Sequence, residues 1–153
     1  MKTIMIVLLV FLCTTGSYAQ EGETIAGKKT MRDLRKNSVY AELFVVGVFW
    51  SIINYDRIIP ITDKVAIAPR VGLTYYEELF PVAELNFLAG GVHSFEAGVG
   101  TPFISWEGTA VVFRAGYRYQ GLKGFLFRAA PEYFTGLDED NSLWLAIALG
   151  YCF

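Results

Sequence analysis

The chain has 153 residues, of which 54% are apolar, 16% aromatic and 18% charged, with a formal net charge of −2. This length predicts one domain, and the apolar share excludes a disordered chain. The slightly acidic balance excludes a basic nucleic-acid footprint, and two Cys with one His leave no material for a disulfide scaffold or a zinc centre, so no metal or other cofactor is expected.

Met1 and Lys2 open a short positive segment, followed by an apolar run from Ile4 to Leu12 and by Cys13-Thr14-Thr15-Gly16-Ser17-Tyr18-Ala19. Ser17 and Ala19 fit the small-x-small rule, so residues 1–19 read as a secretory signal peptide cleaved after Ala19. The run is too short to anchor the chain across a bilayer, and Leu12 before Cys13 is too large for lipoprotein processing. Cleavage removes Lys2 and Cys13, leaving 12 basic and 15 acidic residues and a single cysteine, Cys152, which has no internal partner. Residues 20–37 are polar and carry Lys28, Lys29, Arg32, Asp33, Arg35 and Lys36. They read as a flexible, solvated leader or a short frayed helix.

From Ser38 to Phe153 no long amphipathic helix fits, and the longest uncharged apolar stretch, Leu43 to Ile53, has only 11 residues. That is below the ~17 needed for a spanning helix. Strand signals recur instead, separated by Gly, Pro or Asn. Eight strands are expected, at about 39–46, 48–58, 64–76, 82–89, 93–101, 110–120, 124–134 and 142–153. In the sixth, Val111, Phe113, Ala115, Tyr117 and Tyr119 alternate with Val112, Arg114, Gly116, Arg118 and Gln120. The third, fifth, seventh and eighth show the same division into a bulky apolar face and a small or charged face.

Two architectures share this alternation. A soluble sandwich buries the apolar face, whereas a membrane barrel turns it to lipid and keeps the polar face inside. Small residues on the polar face (Gly72, Gly98, Gly100, Gly116, Ala146, Ala148, Gly150), aromatics at strand ends and the terminal Phe153 favour the barrel. The expected fold is therefore all-β, an antiparallel up-and-down transmembrane β-barrel of eight strands over residues 38–153. Connections after 58, 89 and 120 would be periplasmic, and those after 46, 76, 101 and 134 would face outward.

Asn37–Leu43 with Ser51–Arg57, Gly91–Gly100, Tyr117-Arg118-Tyr119-Gln120 with Gly124–Ala129, and Leu149–Phe153 carry a further signal. These segments resemble the short outer-membrane β-barrel proteins common in Bacteroidota. The resemblance covers most of 37–153 and implies location and architecture rather than an activity. It departs at Val46-Gly47-Val48, where the family carries a Gly-Asn-Gly type turn, and at Cys152. It implies that Tyr151 and Phe153 belong to the closing strand's assembly signal. Outer-membrane lipid and lipopolysaccharide are the expected surroundings of a monomer in a Gram-negative cell outer membrane, with the barrel-assembly machinery as partner during insertion.

The register turns Glu42, Asp56, Arg70, Glu84, Glu96, Arg114, Arg118, Arg128 and Glu132 inward, five acids and four bases. Charges buried in such number must pair. An eight-stranded barrel is barely wide enough for side chains, so a plugged cylinder is expected, with a structural or surface-interaction role. A narrow, gated, porin-like channel is the alternative if pairs exchange partners. His93, with Ser94 and Glu96 nearby, invites a third reading, a lipid-modifying enzyme of lipid A deacylase type. His93 and Ser94 would face opposite sides of a strand, however, so no catalytic residue is assigned. Asp138-Glu139-Asp140-Asn141 reads as a solvated acidic turn without a calcium-loop pattern. A soluble secreted barrel that binds an apolar ligand is the competitor at the level of fold.

Overall fold

The computed structural model describes residues 29–44, 50–76, 78–101, 111–135 and 142–153. Nine strand segments lie among them: β1 (Asn37–Phe44), β2 (Trp50–Arg57), β3 (Ile59–Pro60), β4 (Val65–Tyr76), β5 (Glu78–Gly90), β6 (His93–Thr101), β7 (Val111–Gln120), β8 (Phe125–Thr135) and β9 (Ser142–Cys152). Each pairs antiparallel with its neighbours, and β2 with β3 acts as one stave interrupted at Ile58. The ring closes because β1 pairs with β9, Ser38 opposite Cys152 and Phe44 opposite Ala146. The result is a closed, eight-stave, antiparallel all-β barrel.

The buried side chains of the strands all bear even numbers, from Ser38 on β1 to Cys152 on β9. Successive residues of a strand point to opposite faces, and every connection preserves that parity. Leu43, Tyr55, Val71, Leu85, Phe113, Tyr133 and Leu149 are among the odd-numbered residues that form an exposed apolar exterior. Interior and exterior thus follow directly from the period of two.

Two strand prolines coincide with places where pairing lapses. Pro69 falls opposite the break between β2 and β3, and Pro131 lies in the gap between the Arg114–Glu132 and Tyr117–Ala129 pairs. Proline has no N–H to give a ladder, so it fits where a hydrogen bond is not required. β5 does not start after Pro81, at 82 as expected, but runs from Glu78, with Pro81 outward opposite Leu73, because the ring's fixed φ is compatible with extended backbone. The segment 46–48, where the resemblance departs, and the acidic residues 138–141 lie outside the described residues.

The end of the barrel that gathers Asn37 and Phe153 also carries the short turns at 61–64, 91–92 and 121–124. Gly124 has φ +104°, and a Cβ there would meet the Tyr151 ring, so the β7–β8 turn needs glycine on both counts. Residues 29–36, expected as part of a solvated leader, fold into a turn against this end. Met31 and Leu34 are buried there with Ile58, Ala66, Ala68 and Leu88. The apolar surface just inside the barrel mouth gives these two residues a place to bury that composition alone does not reveal.

Candidate functional site

The interior is a stack of layers. At the turn end lies the apolar cluster of Met31, Leu34, Ile58 and Leu88, and at the opposite end Phe44, Val112, Phe134 and Ala146 pack with Trp144. The three large rings stand edge-on or tilted, with centroids 5.8–6.2 Å apart. Between these two layers lie all nine inward charges, each of them buried.

They divide into two sets. In the first, Glu42 pairs with both Arg70 and Arg114, the latter through Nη1 at 2.8 Å. Glu84 pairs with the same two arginines, at 2.9 and 3.3 Å, and Glu132 pairs with Arg114. Arg70 also donates from Nε and Nη2 to Asn54 Oδ1 at 3.0 and 2.8 Å. Three carboxylates therefore share two guanidinium groups. The second set is more nearly one-to-one. Arg118 grips Asp56 with two nitrogens at 2.6 and 3.0 Å and donates to Ser38 Oγ at 2.9 Å, while Arg128 grips Glu96 through Nε and Nη2.

Tyr40 lies between the sets. The Arg128 guanidinium is 4.7 Å and that of Arg70 5.5 Å from its ring centroid. Each such contact contributes about 0.5–2 kcal/mol when desolvated. The aromatic ring links one arginine of each set without adding another charge.

Glycine makes room for this crowd. A Cβ on Gly98 would lie 2.1 Å from Asn86 Oδ1, and one on Gly72 would lie 2.3 Å from Asn54 Oδ1. At these two positions a neighbouring side-chain amide crosses the backbone, whereas Gly100 and Gly150 make room for Glu84 and Tyr40. The network is not saturated. Arg114 Nε, Arg118 Nε and Arg128 Nη1 donate to no protein acceptor among the described residues. An orphan buried donor costs about 1–3 kcal/mol, which burial and the backbone ladder must offset.

The other singled-out residues lie apart. His93 is exposed on the outer face, its Nδ1 2.5 Å from Tyr117 Oη and its ring 5.1 Å from that of Tyr119. Ser94 is buried inside and donates to Gly91 O at 2.8 Å, while Glu96 is engaged by Arg128. Histidine, serine and glutamate are thus not brought together. Tyr151 and Phe153 are exposed at the turn end, where Tyr151 Oη accepts from Arg35 Nη1 at 2.9 Å. Cys152 points inward, 3.4 Å from Ser38 Oγ. Sequence reasoning did not name Ser38, Tyr40, Asn54 and Gln120 as network members. Their signal was present: each shares parity with a charge on its own strand.

The geometry defines a closed β-barrel with a charged, ion-paired interior and an apolar exterior. No family model matches the chain, and no curated relative matches it. Among solved structures it is similar to the backbone structure of the Yersinia pestis outer membrane protein Ail in a phospholipid bilayer nanodisc. The identity is 14% and the TM-score 0.47, over 78% of this chain and 99% of that one.

Proposed function

We propose that the chain is an integral outer-membrane β-barrel whose interior is plugged by its own side chains, exported by the 1–19 signal and acting in a structural or surface-interaction role. The observation that carries this reading is the inversion of polarity. Charged side chains fill the inside while Val71, Leu85, Phe87, Phe95, Phe113 and Leu149 stand exposed outside. A soluble barrel has no reason to expose such a surface, whereas lipid is its natural solvent. Strand length supports the same reading. β4, β5, β7, β8 and β9 have 10–13 residues, and a tilted strand needs about 9–11 to cross the hydrocarbon core.

The aromatic arc of Tyr117, Tyr119, Phe125, Phe127 and Tyr151 near the turn end fits a girdle at one interface, and the short turns at 61–64, 91–92 and 121–124 support a periplasmic reading of that end. The resemblance of Tyr117–Gln120 and Gly124–Ala129 to short outer-membrane barrels of Bacteroidota agrees. The separation of His93 from Ser94 favours a non-enzymatic role.

The test is electrophoretic mobility of the detergent-solubilised mature protein, unheated against boiled, alongside fractionation and planar-bilayer recording. The expected outcome is a heat-dependent shift, recovery with the outer membrane and no steady conductance. Recovery in a soluble fraction would overturn the membrane reading in favour of an apolar-ligand barrel. A stable unitary conductance would replace the plugged cylinder with the narrow channel.

A further inference from the structure

The structure assigns residues Lys29–Lys36 the role of a stopper for the turn-end mouth, so that this segment, not the strands, governs access to the charged interior from that side. The periplasmic placement of the mouth rests on the membrane reading above, but the stopper itself does not. The segment is strongly basic, yet its only two large apolar side chains, Met31 and Leu34, are the two that turn inward. Their spacing of three places both on one side of a single turn. That turn is tied at both ends. Thr30 N and Oγ1 each donate to Asp33 Oδ2 at 2.8 Å, and Lys36 Nζ donates to Met31 O at 2.9 Å and Arg32 O at 2.7 Å. The Thr30 hydrogen bonds hold the Asp33 carboxyl below its ordinary range, while partial burial lowers Lys36.

The anchors lie on widely separated staves. Met31 N donates to Asp63 O in the β3–β4 turn at 2.8 Å, and Lys36 O accepts from Ile58 N at 2.7 Å. Arg35 O accepts from Gln120 Nε2 on β7 at 2.7 Å, and Arg35 Nη1 donates to Cys152 O on β9 at 2.8 Å. In the ring order, β4 and β7 are three staves apart, so the segment bridges the opening rather than following one edge. Gln120 also accepts from Arg118 Nη2 at 3.4 Å. One side chain therefore joins the stopper to the ion-pair network directly above it.

Cys152 reports on this seal. Its side chain is fully buried just inside the mouth, and its carbonyl is held by Arg35. It is the sole cysteine after signal cleavage, so maleimide labelling of the mature protein reads one site. The experiment compares labelling rates of the folded mature barrel and a variant lacking residues 20–36, with the mobility shift on boiling run on the same samples. We expect the intact protein to resist labelling until boiled. The shortened protein should keep its mobility shift and label at least tenfold faster. Equal protection of the two folded forms, or rapid labelling of the intact one, overturns the stopper. Should the shortened chain lose its shift, the full-length double variant Met31→Asp/Leu34→Asp is decided by the same comparison. A missing shift in the intact protein would instead be a failure of the barrel reading.

Discussion

Arg70 and Val71 are adjacent at the middle of β4, yet they occupy opposite environments. Arg70 is 2% exposed and touches Glu42, Glu84, Asn54 and Tyr40, while Val71 is 57% exposed on the outer face. In a water-soluble protein the exposures would be reversed. A side chain's proper place thus depends on which solvent surrounds the fold. Inside the barrel a charge is tolerable because its partners are fixed, and on the membrane reading proposed above an apolar side chain is tolerable outside because lipid would replace water.

Four substitutions, two of them tested again with a compensating second change, break or sharpen this contrast. Arg70→Leu should cost most, about 3–5 kcal/mol, because it leaves Glu42 and Glu84 dependent on Arg114 alone. Urea unfolding in detergent should show the loss, and adding Glu84→Leu should recover part of it, since an apolar pair replaces a buried ion pair at little net cost. Val71→Arg should cost ~2–4 kcal/mol at the bilayer midplane, read as reduced insertion into lipid vesicles. Gly98→Ala should cost about 1–3 kcal/mol through overpacking against Asn86 and should lower the unfolding midpoint; Asn86→Ala in the same chain should relieve it. Tyr119→Arg, on the outer face but at the strand's turn end, should cost only ~0–1 kcal/mol in the same vesicle assay. Equal effects of Val71→Arg and Tyr119→Arg would remove the argument for a lipid-facing exterior.

Most of the barrel was legible because its connections keep parity. Once Arg114 and Arg118 are placed inside, the period of two carries Glu132, Arg128 and Glu96 to the same side without knowledge of any contact. Which acid meets which base was not legible. Glu42 and Arg114 are 72 residues apart and meet only because β1 and β7 face each other across the interior. Residues 29–36 were misread for a different reason. Their composition is that of a solvated leader, and two apolar residues three apart are too short a pattern to announce burial. The surface that receives them is assembled from Ile58 at the β2–β3 break, from β4 and from β5, all later in the chain. The start of β5 was missed because Pro81 reads locally as a breaker, whereas its fixed φ fits the extended backbone that continues through it.

The pairing of β1 with β9 has a consequence in time. Ser38 and Cys152 face each other across a separation of 114 residues, whereas each other seam joins staves that follow one another along the chain. Neighbouring hairpins can form as soon as both their strands exist, but the last seam must wait for β9. Until then the first and last available strands present unpaired edges, which invite association with other chains. Synthesis halted ahead of these 11 residues would yield an open, adhesive sheet instead of a weakened cylinder. The seam makes folding a single late commitment and places the need for escort in the interval before it.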